Sequence, residues 1–222
     1  MADVGRILPT LPNDQHRLAT AGGLLLFVVF GIKAAMLPVG FWLPKTYAVA
    51  ATPVAALFTI MTKVGIYAIL RVNGTVFNDE LGQSILSHTL LIIGLITSLY
   101  GVIGAIGVDR LRRFVGFMIL SSIGTILVAF SMMNEAAWSA GLYYLVHSTI
   151  IAASFYLLCG WITSQRGALK DHLKIAPKMK QDKIIAASFF LIALMMAGLP
   201  PFSGFLGKVL ILQATANFAY QG

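Results

Sequence analysis

Long apolar runs alternate with short polar stretches along this chain, and their lengths predict membrane-spanning helices. A helix needs about 20 apolar residues to cross a hydrocarbon core of ~30 Å. The pattern therefore predicts an all-α integral membrane protein with about six spans, forming a single membrane domain over residues 1–222. A polar lead-in at 1–18 precedes spans at about 22–43, 53–71, 85–108, 114–133, 138–162 and 184–220.

Prolines interrupt the first and the last of these spans. Pro38 lacks the amide that would bond the carbonyl of Ala34, and Pro200 and Pro201 remove two further helix hydrogen bonds. Ser203 suits the start of a second half-helix. Unpaired backbone at membrane depth is tolerated only where protein encloses it or where it lines a watered cavity. Both spans are therefore predicted to be discontinuous, at Pro38 and at Pro200/Pro201, and to line a polar path.

Amino-acid composition limits the kinds of protein and of functional site that are possible. Only 11% of residues are charged, against about 25% in a soluble domain. Cys159 is the single cysteine, so a disulfide framework and a thiolate metal site are both excluded. The four histidines are too scattered for a metal motif, and we expect neither a metal nor another cofactor.

The net charge of +8 could suggest a nucleic-acid partner, but the placement of the charges indicates membrane topology instead. With six crossings, ten basic residues fall on one side and three on the other: Lys45, Arg110, Arg112, Arg113, Arg166, Lys170, Lys174, Lys178, Lys180 and Lys183 against Arg6, Arg17 and Arg71. Because basic loops stay in the cytoplasm, the N-terminus is predicted outside and loops 109–113 and 163–183 inside. Lipid is then the expected surface partner, and no nucleic acid is expected.

Four ionisable residues lie within the spans, on different helices and at similar depth: Lys33, Lys63, His147 and Lys208. Lys33, for example, is about eleven residues into its span, or ~16 Å at 1.5 Å per residue. Buried ionisable groups in a membrane commonly mark proton or ion paths. Desolvation disfavours a charged lysine, which allows it to exchange protons under working conditions. These residues are the candidate proton relay.

Other interpretations of these residues stay open at this point. A membrane lysine can extend its ammonium to the interface, and His147 could simply make an interhelical hydrogen bond. Tyr143, Ser148 and Thr149 are candidate hydroxyl neighbours of this histidine. All eight carboxylates fall in loops. The lysines are therefore either neutral or paired with an anion from elsewhere, which suggests a piece of a larger assembly.

Five segments resemble landmarks of the proton-translocating antiporter family, which comprises large subunits of Mrp cation/proton antiporters and antiporter-like subunits of respiratory complex I. They are GIKAAMLPVGFWLP (31–44), PVAALFTIMTKVGIYAILR (53–71), VDRLRRFVGFMILSSIGTI (108–126), LYYLVHSTIIAASFYLLCG (142–160) and AGLPPFSGFLGKVLIL (197–212). ILSSIGTI is nearer to the D-type subunits of Mrp than to complex I. The turn VDRLRRF departs in wording from the usual DLKRLLAY of the family.

The resemblance implies a role for each candidate residue. Lys33 matches the lysine on the first discontinuous helix, Lys63 the central relay lysine, His147 the relay histidine, and Lys208 the terminal lysine. Family members carry further helices on both sides, arranged as inverted repeats, so the chain resembles a fragment of one. The family's glutamate that pairs with the lysine matched by Lys33 lies on an N-terminal helix with no counterpart in residues 1–222.

The resulting hypothesis is a transporter subunit, not an enzyme. It would move protons along the Lys/His relay of a multisubunit Na⁺(K⁺)/H⁺ antiporter in the cell membrane, together with other antiporter subunits. The alternative is a proton-pumping subunit of a complex I-type NADH or ferredoxin oxidoreductase, which would use the same path under a redox driving force.

Overall fold

The computed structural model describes residue 7 and residues 12–76, 80–175 and 178–221, most of which are helical. In chain order its helices are α1 (Asn13–Ala34), α2 (Trp42–Val49), α3 (Thr52–Val76), α4 (Glu80–Ile106), α5 (Leu111–Ser131), α6 (Glu135–Gln165), α7 (Asp182–Ala197) and α8 (Ser203–Gln221). Short 3₁₀ turns occupy Val39–Phe41 and Gly167–Leu169.

Five stretches of the described residues are long and apolar enough to cross a membrane: Asp14–Val49, Thr52–Val72, Gln83–Ile106, Leu111–Ser131 and Glu135–Gln165. The last predicted span is divided between α7, of 16 residues, and α8, whose apolar part is Ser203–Ala216. The predicted all-α membrane fold is therefore confirmed, with its first and last spans broken.

Helix boundaries differ from the predicted spans mainly by extending into polar flanks. α1 begins at Asn13, inside the stretch predicted as a lead-in, while residues 1–6 and 8–11 of that stretch lie outside the described residues. α6 likewise continues to Gln165. Hydropathy marks the part of a helix that meets lipid, whereas backbone hydrogen bonding continues for as long as the residues allow it.

The centre of the bundle is α5. Its side chains Ile119, Leu120 and Ile123 are almost completely buried, and it contacts α2, α3, α4, α6 and α8. Glycine lets α4 approach it closely, since a methyl group added at Gly94 would lie 2.9 Å from the carbonyl oxygen of Gly124. Two polar side chains on α5, Ser122 and Ser131, are accordingly buried inside the bundle.

The turn before α5 is fastened to the loop after α6. The Leu111 amide donates to the Asp171 carbonyl (2.9 Å) and the Leu173 amide to the Asp109 carbonyl (2.8 Å). The buried Asp171 carboxylate also accepts from the Arg112 amide at 3.3 Å. These bonds join the two basic loops, 109–113 and 163–183, at one end of the bundle.

Candidate functional site

The break in the first span is supported by the neighbouring helix α4. Ala35 follows α1 in the left-handed conformation, with φ at 56°. The Leu37 amide, just before Pro38, donates to the Thr97 hydroxyl at 3.1 Å. Thr97 is fully buried on α4 and donates in turn to the Ile93 carbonyl at 2.6 Å. A helix amide freed at membrane depth thus has a protein partner, as the cost of an unpaired group requires.

A lysine makes a hydrogen bond across the break in the last span. Gly198 ends α7 with φ at 76°, a conformation that glycine adopts without steric cost. Pro200 and Pro201 follow, and α8 begins at Ser203, as predicted. The Lys208 ammonium reaches back 2.7 Å to the carbonyl of Ala197. This lysine therefore satisfies a carbonyl at the end of the half-helix before it.

Lys63 is the deeply buried member of the candidate relay. Its side chain on α3 is 1% exposed. Its ammonium donates to the Ser122 hydroxyl on α5 at 2.6 Å. Ser122 is itself buried and donates to the Ile119 carbonyl at 2.7 Å. The ammonium accordingly does not extend to the interface; it meets a hydroxyl inside the bundle.

His147 bridges the two halves of the broken last span. Its Nδ1 lies 2.8 Å from the Ser203 hydroxyl at the start of α8. Its Nε2 lies 3.3 Å from the Met195 carbonyl near the end of α7. Ser148 and Thr149, predicted as candidate neighbours, instead donate their hydroxyls to the Leu145 carbonyl. The hydroxyl that contacts the ring belongs to Ser203, 56 residues away in the chain.

A small polar cavity of about 50 Å³ lies between α5, α6 and the two half-helices of the last span. That volume is enough for water, which needs roughly 10–15 Å³ on the same kind of measure. Its polar lining includes Ser121, Ser122, Thr125, His147, Ser148 and Lys208. The cavity thus brings together two of the predicted relay residues, His147 and Lys208. It also includes the Ser122 hydroxyl, which accepts a hydrogen bond from a further one, Lys63.

Lys33 stands apart from this cavity. Its side chain is exposed at the surface of the described chain, and it borders a separate cavity of about 230 Å³ with Tyr47 and Thr62. Tyr47 is buried and donates to the Phe58 carbonyl at 2.7 Å. Lys33 and Lys63 therefore lie on facing helices α1 and α3 without sharing a described hydrogen bond.

Two residues of the site were not predicted from the sequence as part of it. Ser122 and Ser203 hold Lys63 and His147, respectively, and only tertiary structure reveals either contact. A signal was present in the pair Ser121-Ser122, which lies in the middle of an otherwise apolar helix. Within the described residues, no cluster of three or more His, Cys, Asp or Glu side chains could hold a metal ion.

Comparison with known proteins shows which family and which relatives this chain resembles. The family model described as NADH:quinone oxidoreductase/Mrp antiporter, transmembrane, matches residues 6–220. A protein of Rhizobium meliloti, named as the D subunit of a probable K⁺/H⁺ antiporter, is 34% identical over 96% of this chain, which covers 43% of that protein. The D subunit of the Na⁺/H⁺ antiporter of Bacillus subtilis is 33% identical over 90% of the chain, and the chain covers 40% of it.

The solved Mrp complex of Dietzia sp. DQ12-45-1b contains a chain of the same fold. The two superpose with a TM-score of 0.79 at 30% identity, over 90% of this chain and 37% of the other. The chain therefore spans less than half the length of the relatives that it matches.

Proposed function

This chain belongs to the family of membrane subunits shared by NADH:quinone oxidoreductases and Mrp antiporters, and on that premise we propose that it forms part of the D-type subunit of a multisubunit Na⁺/H⁺ or K⁺/H⁺ antiporter. Its task in that assembly is to conduct protons through the membrane. The observation that carries this proposal is the polar cavity lined by Ser122, His147 and Lys208 inside an apolar bundle.

The proposed proton path contains three groups that can exchange protons readily. Lys63 is bonded to a hydroxyl of the cavity wall, while His147 and Lys208 line the cavity directly. Imidazole and amine groups can each bind and release a proton, and hydroxyls and water can pass one between them. We therefore assign Lys63, His147 and Lys208 to one path, which ends at the break at Pro200/Pro201, where Lys208 donates to the Ala197 carbonyl.

Lys33 continues the path beyond the described chain. It is exposed on α1, and an exposed ammonium at membrane depth requires a protein or water neighbour. We assign that neighbour to the remainder of the full-length protein, since the chain covers only 40–43% of its relatives. The other subunits of the antiporter and the bilayer are the further partners of the assembly.

A redox-driven pump is the second candidate, because the family model covers NADH:quinone oxidoreductase subunits as well. It is less favoured, since the relatives described above are named antiporter subunits. Both candidates would use the same Lys/His path and differ in what drives it.

Reconstitution of the full-length assembly into proteoliposomes distinguishes the two candidates. We expect an imposed Na⁺ or K⁺ gradient to drive a change of internal pH, recorded with an entrapped pH-sensitive dye. Empty liposomes and a gradient of an impermeant cation serve as controls. If neither cation moves protons while NADH or reduced ferredoxin does, the antiporter proposal is wrong and the redox pump takes its place.

The multi-pass architecture of a bacterial antiporter family is consistent with the plasma membrane. We propose that the N-terminus is outside and that loops 109–113 and 163–183 face the cytoplasm, because basic loops are retained there. A cysteine introduced at Lys180, in a Cys159→Ser background, should react with an impermeant maleimide in inverted vesicles and stay unlabelled in intact cells. The reverse labelling pattern would contradict this orientation.

A further inference from the structure

Ser122 lies between the buried ammonium of Lys63 and the polar cavity. It is one of the residues that line the cavity, and it hydrogen-bonds Lys63, whose side chain is 1% exposed. We propose that the Ser122 hydroxyl is a proton-transferring residue that connects Lys63 to the cavity. This inference rests on the proton path proposed above and adds to it a specific chemical step.

The other side chains around Lys63 include few groups that could accept or donate a proton. Its side chain also borders a groove of about 260 Å³ on the outer face, between α3 and α6, whose lining is mainly apolar. Neither of the two hydroxyls in that lining, those of Tyr67 and Thr149, makes a described hydrogen bond to Lys63, whereas Ser122 does. Among the described residues, Ser122 is thus the polar side chain that leads from Lys63 toward His147 and Lys208.

The two hydrogen bonds of Ser122 show how the transfer can work. With Lys63 charged, its ammonium donates to the Ser122 oxygen (2.6 Å), and the serine hydrogen points to the Ile119 carbonyl (2.7 Å). With Lys63 neutral, the amine nitrogen has a free lone pair. The serine hydroxyl can then rotate away from Ile119 and donate to that nitrogen, since hydroxyl rotors are free to suit their partners.

The transfer itself moves one proton and no electrons. The O–H bond of Ser122 breaks as an N–H bond forms on neutral Lys63, and the serine oxygen simultaneously takes a proton from a hydronium ion in the cavity. The net result is one positive charge moved from the cavity to Lys63, with the serine unchanged. The reverse sequence discharges Lys63 into the cavity.

The test replaces Ser122 in the full-length assembly. Ser122→Ala removes the hydroxyl and should lower cation-driven proton flux about a hundredfold, at the low end of what one proton-transferring group contributes. Ser122→Thr keeps a hydroxyl at this position and should retain most of the flux. Ser131→Ala is the matched control. Ser131 is also buried on α5 and donates to a carbonyl three residues earlier, at 2.7 Å, but it has no lysine partner in the described residues.

Flux is compared at equal amounts of assembled complex, measured on native gels. Normal flux in assembled Ser122→Ala would overturn the inference, as would equal losses in the Ala and Thr variants, which would indicate packing. Should Ser122→Ala fail to assemble, Ser122→Val, which has the shape of the Thr variant but no hydroxyl, should show the same loss, and normal flux in it would equally overturn the inference.

A Lys63→Met background separates this inference from the proposed function. If Ser122 acts through Lys63, adding Ser122→Ala to Lys63→Met should lower the residual flux no further. A further loss in the double variant would contradict that dependence. Normal flux in Lys63→Met alone would overturn the proposed proton path, whereas loss there with normal flux in Ser122→Ala would overturn the serine step alone.

Discussion

Replacing Lys63 by methionine is expected to lower cation-driven proton flux by about a hundredfold or more, in the range of losses of an essential acid–base group. The lysine is 1% exposed and its ammonium contacts a hydroxyl of the cavity wall. Methionine has a similar length and no ionisable group, so it removes the proton-binding site and leaves most of the packing in place. The measurement is the pH change inside proteoliposomes after an imposed Na⁺ or K⁺ gradient.

The folded assembly should tolerate this change. A buried charge is expensive to desolvate, and an apolar residue of similar volume is often neutral or stabilising in its place. Ser122 keeps its bond to the Ile119 carbonyl in the variant, so its hydroxyl hydrogen is not left unpaired. Lys45→Met is the matched control, because Lys45 is an exposed lysine on α2. Equal flux in the Lys63 and Lys45 variants would contradict a role for Lys63.

The discontinuities could be predicted from sequence because their cause is local. A proline lacks an amide wherever it occurs, so Pro38 and Pro200 mark helix breaks without any knowledge of neighbours. The depth of each candidate relay residue also follows from counting residues at a fixed helical rise. These two arguments identified Lys63, His147 and Lys208 as candidates without any tertiary contact.

The contacts of the candidate relay residues could not be predicted in the same way. Ser122 and Lys63 are 59 residues apart in the chain, and their meeting depends on how α3 and α5 pack. The position of Lys33 illustrates the same limit. Its predicted depth in the membrane grouped Lys33 with Lys63, His147 and Lys208. In the structure, however, its side chain is exposed and borders a different cavity. Depth in a membrane is a one-dimensional quantity, whereas a connected path needs the rotation and neighbours of each helix.

Two proposed functions of Lys208, one structural and one chemical, can be separated by substitution. Its ammonium donates to the Ala197 carbonyl at 2.7 Å, across the break, and it also lines the polar cavity. Lys208→Ala removes both the hydrogen bond and the proton site. Lys208→Gln keeps a donor that can still bond a carbonyl but cannot bind a proton in the working range. If the break needs only a hydrogen bond, the glutamine variant should assemble as the native protein does.

Proton flux in the Lys208 variants tests most directly the claim that one path joins Lys63, His147 and Lys208. The measurement is Na⁺- or K⁺-driven proton flux from the full-length assembly, at equal amounts of complex, with Lys183→Ala as the control at an exposed lysine. We predict that Lys208→Ala and Lys208→Gln both lose about a hundredfold or more, while Lys183→Ala keeps its flux. Unchanged flux in correctly assembled Lys208→Ala would contradict the account.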